Sequence, residues 1–289
     1  MKILISILII SFFVLFSCKK NYIPYYNKVN EIDSIYRLAK KPKLAIKEYR
    51  SLFKKYIPKN QERIKEYETY ITLAEQYHED FGGKESLYQL ISLIAPYDKE
   101  YIKYLPLFNK YGIDSTEVQR KISTWKKDLN RQLIDSFKTA LIRDQQGRPD
   151  DTALVRKNVE KNATLFKWTF KKFGFPSQDK IGSYPMLTLI SHMSESKALY
   201  PYLETKILEY VKSGDCPPLD YSIMVDGYQF LPGKGTYYGM GRSFLKEIDS
   251  ASINRHRKSI GLPSLKHAAI IKKDFLKKLK ENDTNYIKE

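Results

Sequence analysis

The chain has 289 residues and carries 50 Lys and Arg against 33 Asp and Glu, a formal net charge of +17. That length suits one large or two small domains, and 42% apolar residues support a real core, which excludes a disordered chain. Cys18 and Cys216 are the only cysteines. A disulfide framework is therefore not expected, and no His/Cys cluster has metal-ligand spacing, so neither a metal nor a cofactor is expected.

Lys2 precedes an apolar run from Ile3 to Phe16, closed by Ser17-Cys18. A membrane-spanning helix needs about 20 apolar residues, and this run is shorter. A basic start, a short apolar core and small or polar residues before a cut site describe a removable export signal. Leu15-Phe16-Ser17-Cys18 resembles the bacterial lipobox, in which the cysteine is acylated and becomes the first mature residue. The resemblance implies a signal peptide over 1–17, lipidation at Cys18 and the lipid bilayer as partner. The bland alternative is an ordinary secretory signal with a chance cysteine. More than one acyl chain gives stable anchoring. Acidic residues, which some Bacteroidota lipoproteins carry after the cysteine for surface export, are missing here. The expected place is the periplasmic face of the inner or outer membrane. An exported chain is not expected to bind nucleic acid despite its charge. An envelope protein or an envelope polyanion is the candidate partner, unless Lys simply solubilises the surface.

Residues 18–30 read as a tether, because Pro24, the tyrosines and the asparagines show no helical period. From 31 to 113 the pattern is helical. Ile32, Ile35, Tyr36 and Ala39 recur at three- and four-residue steps. Leu44, Ala45, Tyr49, Leu52 and Phe53 follow Pro42. Tyr67, Tyr70, Ile71, Ala74 and Tyr77 end at Gly82-Gly83, and Leu87, Leu90, Ile91 and Ile94 end at Pro96. These helices resemble tetratricopeptide-type hairpins, with an irregular bundle as the alternative. Asp114 or Ser115 caps a helix expected to run to about Arg143. Asp151-Thr152 starts another, closed by Gly174 and Pro176. Ser183 with Pro185 opens a helix through Met193, and Tyr200 to Val211 forms one ended by Gly214. The glycines between Gly227 and Gly241 argue against a helix there. Tyr228–Leu231 and Thr236–Tyr238 suggest a β-hairpin. Residues 266–289 form a basic amphipathic helix with Ala268, Ile271, Phe275 and Leu279 on one face.

The second half carries an order of short motifs. Asp144-Gln145 with Arg148 comes first, then Asn162, Gly174-Phe175-Pro176 and His192. Asp226, Tyr238-Gly239 and Arg257 with Gly261-Leu262 follow. This order resembles a bacterial domain-of-unknown-function family common in secreted and lipid-anchored proteins. The resemblance spans roughly half the chain and carries over no activity. Gly227, Met240-Gly241, Ser191 and His256 depart from its pattern, which favours a degenerate site or a binding role.

The fold class expected is mainly α. Helical hairpins over 31–113 precede an α-rich domain over 114–265 with one hairpin. His192 with Asp226 or Asp144 makes a candidate general base, and Gln145, Arg148, Asn162, Tyr238 and Arg257 are candidate binding groups. The competing reading is a core histidine with satisfied nitrogens. The Gly-x-Ser-x-Gly and paired-His metalloprotease signatures are missing. Three readings follow: a non-catalytic binding or scaffolding lipoprotein, an envelope hydrolase using His192, and a polyanion or lipid-surface binder working through the C-terminal lysines.

Overall fold

The computed structural model describes residues 20–97, 99–231, 233, 235–240 and 249–286, with side chains of the last helix described to Lys277. The described residues are mainly helical and contain no strand. Helix α1 spans Ile23–Arg37, α2 Pro42–Phe53, α3 Glu66–Gln76 and α4 Gly83–Ile94. A 3-10 turn over Glu100–Tyr104 leads into α5, Leu105–Lys110, and α6, Ser115–Lys127. Then come α7, Arg131–Gln145, α8, Thr152–Lys172, and the short α9, Gln178–Ile181. Helix α10, Met186–His192, runs into a 3-10 turn at Met193–Glu195. Helices α11, Tyr200–Ser213, α12, Pro218–Phe230, α13, Ser250–Ser259, and α14, Leu265–Tyr286, complete the chain.

Two apolar cores result. Helices α1 to α6 build the first, around Tyr25, Tyr49, Ile71, Leu90 and Phe108. Helices α7 to α12 build the second, around Phe137, Phe166, Leu189, Leu203 and Met224. Val118 of α6 belongs to the first core and Leu133 of α7 to the second. The division therefore falls near residues 128–130, later than the expected boundary at 113/114. The helix expected to run unbroken to Arg143 is split at the same place. Asn130 caps α7 by accepting from the Leu133 N–H at 3.0 Å, and its own N–H donates to the Lys180 carbonyl at 2.8 Å. A side-chain acceptor at this position satisfies an otherwise orphaned amide and starts a new helix.

From Ile23 onward the expected tether is helix, and residues 18–19 of it lie outside the described residues. Pro24 sits in the first turn of α1, where its missing N–H costs nothing. Tyr25, Tyr26, Val29 and Ile32 then fall on one buried face. This helix touches both cores. Its Tyr22 N–H donates to the Lys212 carbonyl at the end of α11 at 2.7 Å, and Ile23 packs on the second core. Gly261 passes so close that a Cβ there would lie 2.5 Å from Tyr26 Cβ, and its φ of +88° already favours glycine.

Helices α1 and α14 are joined by charge. Asp33 of α1 is fully buried. Arg37 Nε donates to both its oxygens, at 2.7 and 2.9 Å, and His267 Nε2 of α14 lies 2.7 Å from Oδ2. Arg37 also reaches Asp274 at 2.8 Å, and Ile271 enters the first core. A tetratricopeptide-like stack repeats one helix pair, each repeat contacting only its neighbours. Here α1 is covered by the C-terminal helix, and α1 to α4 have 15, 12, 11 and 12 residues followed by a 3-10 turn. The repeat expectation is not supported.

The expected β-hairpin is also corrected. Helix α12 continues through Gly227 to Phe230. A helix-interior glycine costs about 1 kcal/mol relative to alanine. Close packing offsets it, since a Cβ at Gly227 would sit 3.0 Å from Ser194 Oγ. Residues 237–240 form bends.

Replacing Asp33 by Asn leaves Arg37 without its buried carboxylate. The expected cost is about 3 kcal/mol, seen as a lower urea midpoint with an unchanged slope. Asp220, in the first turn of α12, gives a pH prediction. Burial first, and the nearby Glu62 second, push its carboxyl up to about 7. The folded chain then keeps a proton that the unfolded chain releases near about pH 4. This group's contribution to stability falls as pH rises from about 4 to about 7, and the cost is complete above that. Asp220→Asn should be more stable than the parent at pH 8, on the order of a few kcal/mol, with the gap closing by pH 4. A gap independent of pH in urea melts would contradict this.

Candidate functional site

Helices α7 and α10 bring Asp144 and His192 together. Asp144 lies in the last turn of α7 and is buried. Its Oδ2 is 2.7 Å from His192 Nδ1 and also accepts from Gln145 Nε2 at 2.7 Å. The imidazole ends α10 and is about a quarter exposed, at 26%. A carboxylate oxygen only accepts, so Nδ1 of the neutral ring carries the proton and Nε2 presents its lone pair. His192 Nε2 has no hydrogen-bond partner among the described residues. His192 is thus neither a fully buried core histidine nor one satisfied at both nitrogens.

Asp226, the alternative carboxylate, is elsewhere engaged. It accepts from the N–H groups of Tyr237 and Tyr238 at 2.8 Å, from that of Met240 at 2.7 Å, and from the Thr236 hydroxyl. A carboxylate ringed by successive backbone amides fastens a loop. Arg257 holds the other side of that loop by donating to the Tyr238 carbonyl at 2.7 Å, with Met240 Sδ 3.6 Å away. Asn162 apart, the predicted residues therefore fall into two groups. Asp144, Gln145, Arg148 and His192 form one, and Asp226, Tyr238 and Arg257 the other. No hydrogen bond or ion pair joins the groups among the described residues.

Arg148 is also occupied. Its guanidinium meets Glu195 in a forked pair at 3.0 and 3.2 Å, and its Nε donates to the Asp144 carbonyl at 3.0 Å. Planar two-point pairing of this kind is specific and strong. It braces the turn after His192 and fits a positioning role better than capture of an anion. Asn162 accepts from Arg143 at 2.8 and 2.6 Å and donates to the Ala140 carbonyl at 3.2 Å, tying α8 to α7. Sequence reasoning missed Glu195 and Arg143. Each is adjacent in space to a named residue, but an ion pair spanning 47 positions leaves no local spacing to read.

The chemistry available is that of an imidazole base held in one tautomer. A nucleophile is not paired with it. Ser191 Oγ donates to the Thr188 carbonyl at 2.8 Å, and Ser194 Oγ to the Ser191 carbonyl at 2.7 Å. The grooves beside Asn27 and Lys266 and beside Tyr56 and Pro58 are lined by other residues. Cys216 is buried, and burial pushes its thiol well up, which makes it inert rather than reactive. Among the described residues, no group of three or more His, Cys, Asp or Glu is placed to hold a metal ion.

No family model matches the chain, and no curated protein or solved structure matches it either.

The Asp144 contact should fix the ring. Nitrogen-15 NMR of neutral His192 is expected to show the Nδ1–H tautomer. Asp144→Ala should release it to the Nε2–H form usual for an unconstrained imidazole. The same tautomer in both proteins would contradict the assignment.

Proposed function

We propose that this chain is a lipid-anchored envelope protein that binds or scaffolds rather than catalyses. The observation that carries the anchor is the apolar run from Ile3 to Phe16 ending in Leu15-Phe16-Ser17-Cys18. Residues 1–19 lie outside the described residues. Among those described, no helix is long and apolar enough to cross a membrane. An acylated Cys18 would therefore supply attachment without a spanning segment from this part of the chain, on the periplasmic face of either membrane.

The non-catalytic half of the reading is supported by the site. The imidazole at His192 has an orienting carboxylate but no paired nucleophile, and the candidate anion-holding arginines are bound to internal partners. A second reading, an envelope hydrolase, is favoured by one observation, the open Nε2 of His192 above a buried carboxylate. A third, polyanion binding through α14, has the exposed Lys272 and Lys273 in its favour.

Growth with an alkyne-tagged palmitate should label the full-length protein and leave Cys18→Ser unlabelled. Label retained in that variant, or missing from the parent, would overturn the anchor. Against a panel of ester and amide substrates, the acylated protein and His192→Gln should give equal rates. A rate lost with His192 would replace the binding reading with the hydrolase.

A further inference from the structure

The described chain begins at Lys20, two positions after Cys18, and two residues span at most about 7 Å. Whatever surface surrounds Lys20 must therefore lie close to the headgroups if Cys18 is acylated. That surface is built from Lys20 and the segment that closes α2. The Lys20 ammonium donates to the Lys55 carbonyl and lies 4.3 Å from the centre of the Tyr56 ring. Ile57, next in sequence, is 67% exposed, the most exposed large apolar side chain among the described residues. Lys54 and Lys55 are exposed as well. Neither ammonium makes a hydrogen bond or ion pair among the described residues. Beside them a groove of about 360 Å³ runs under Tyr56, Ile57 and Pro58, with Glu85 its one carboxylate.

An isolated exposed isoleucine needs no explanation. This one shares a groove with the exposed Lys54 and Lys55 and with Tyr56, the ring that Lys20 lies against, at the point where the anchor would enter. That combination is the chemistry of an interfacial surface: an apolar side chain to enter the acyl boundary, a tyrosine at headgroup level, and lysines for anionic lipid. We propose that the face formed by Lys20, Lys54, Lys55, Tyr56 and Ile57 docks flat on an anionic bilayer and sets the orientation of the anchored protein. The proposal rests on the lipid-anchor reading and adds a contact surface to it. It differs from binding through α14, whose lysines belong to another part of the chain.

The test places the photoreactive residue p-benzoylphenylalanine at position 57 of the full-length protein, with position 142 as the control. Ile142 is also exposed, at 58%, and lies on α7. The protein is mixed with vesicles of phosphatidylethanolamine and phosphatidylglycerol and irradiated. Adducts and the N-terminal peptide are then weighed by mass spectrometry. The expected result is a lipid adduct at 57 several-fold above that at 142. Lys54→Glu combined with Lys55→Glu should reduce it several-fold without unfolding, since both side chains are exposed. An acylated Cys18 without a lipid adduct at 57, or with an adduct to a second copy of the chain, overturns the docking face and leaves the anchor intact. An unmodified Cys18 with a lipid adduct at 57 supports the face and removes the anchor. An unmodified Cys18 without a lipid adduct overturns both.

Discussion

The buried carboxylate of Asp33 is the constraint on which the architecture turns. It is fully withdrawn from water, and two cationic or potentially cationic groups converge on it, Arg37 from its own helix and His267 from α14. A buried charge is tolerable only when paired and hydrogen-bonded, and removing one partner costs far more than the pair's net worth. Departure of α14 from α1 would cost Asp33 its His267 contact and Arg37 its Asp274 contact, leaving the Arg37–Asp33 pair within α1. Helix α1 in turn hydrogen-bonds to the end of α11 and packs Tyr25 and Tyr26 in the first core. Both halves and the C-terminus thus meet on one helix.

The same device recurs in the N-terminal half. Glu66 is buried and accepts from the Tyr25 hydroxyl at 2.8 Å and the Gln61 N–H at 2.7 Å. Glu68 accepts from Asn60 Nδ2 at 2.7 Å and from the Tyr104 hydroxyl. Burial raises the Glu66 carboxyl and raises the Tyr25 hydroxyl strongly. The abundance of tyrosine therefore has a structural use. The Tyr25 and Tyr104 rings fill apolar space while their hydroxyls satisfy the buried carboxylates of Glu66 and Glu68, whereas the buried Tyr49 hydroxyl has no hydrogen-bond partner among the described residues. In the second core, the equivalent roles fall to Asn162 with Arg143 and to Asp226 with the backbone of its loop.

Much of the helical content was legible because it is carried by local spacing. Leu87, Leu90, Ile91 and Ile94 repeat at helical steps and are all buried. The caps at Asp114 and Asp151 have the side-chain bonds their residue types imply. Errors arose where a local signal met a tertiary one. Pro24 and a run of tyrosines and asparagines have weak helix propensity, yet Tyr25, Tyr26, Val29 and Ile32 find a core to cover them. Gly227 looked like a helix breaker, but it sits inside α12, where a Cβ would press tightly on Ser194. In the candidate site, the meeting of Asp144 with His192 matches one of the two pairings the residue types allowed. The choice between Asp144 and Asp226 could not be read, because it depends on which carboxylate the backbone of residues 237–240 claims. The forked Arg148–Glu195 pair was invisible for the same reason.

These features describe a helical chain with one oriented imidazole and a basic, aromatic corner beside Lys20, where the proposed anchor would attach. Orientation by a flat face would matter only if the body behaves as a unit, so that fixing one corner fixes the rest. Native-state hydrogen exchange tests that claim most directly. If α1 holds the fold together through Asp33, amides of Val29, Ile32 and Ile271 should exchange with the same opening free energy as those of Ala163 and Phe166 in the second core. Exchange of α1 and α14 through a lower-energy opening, with α7 to α12 still protected, would contradict it.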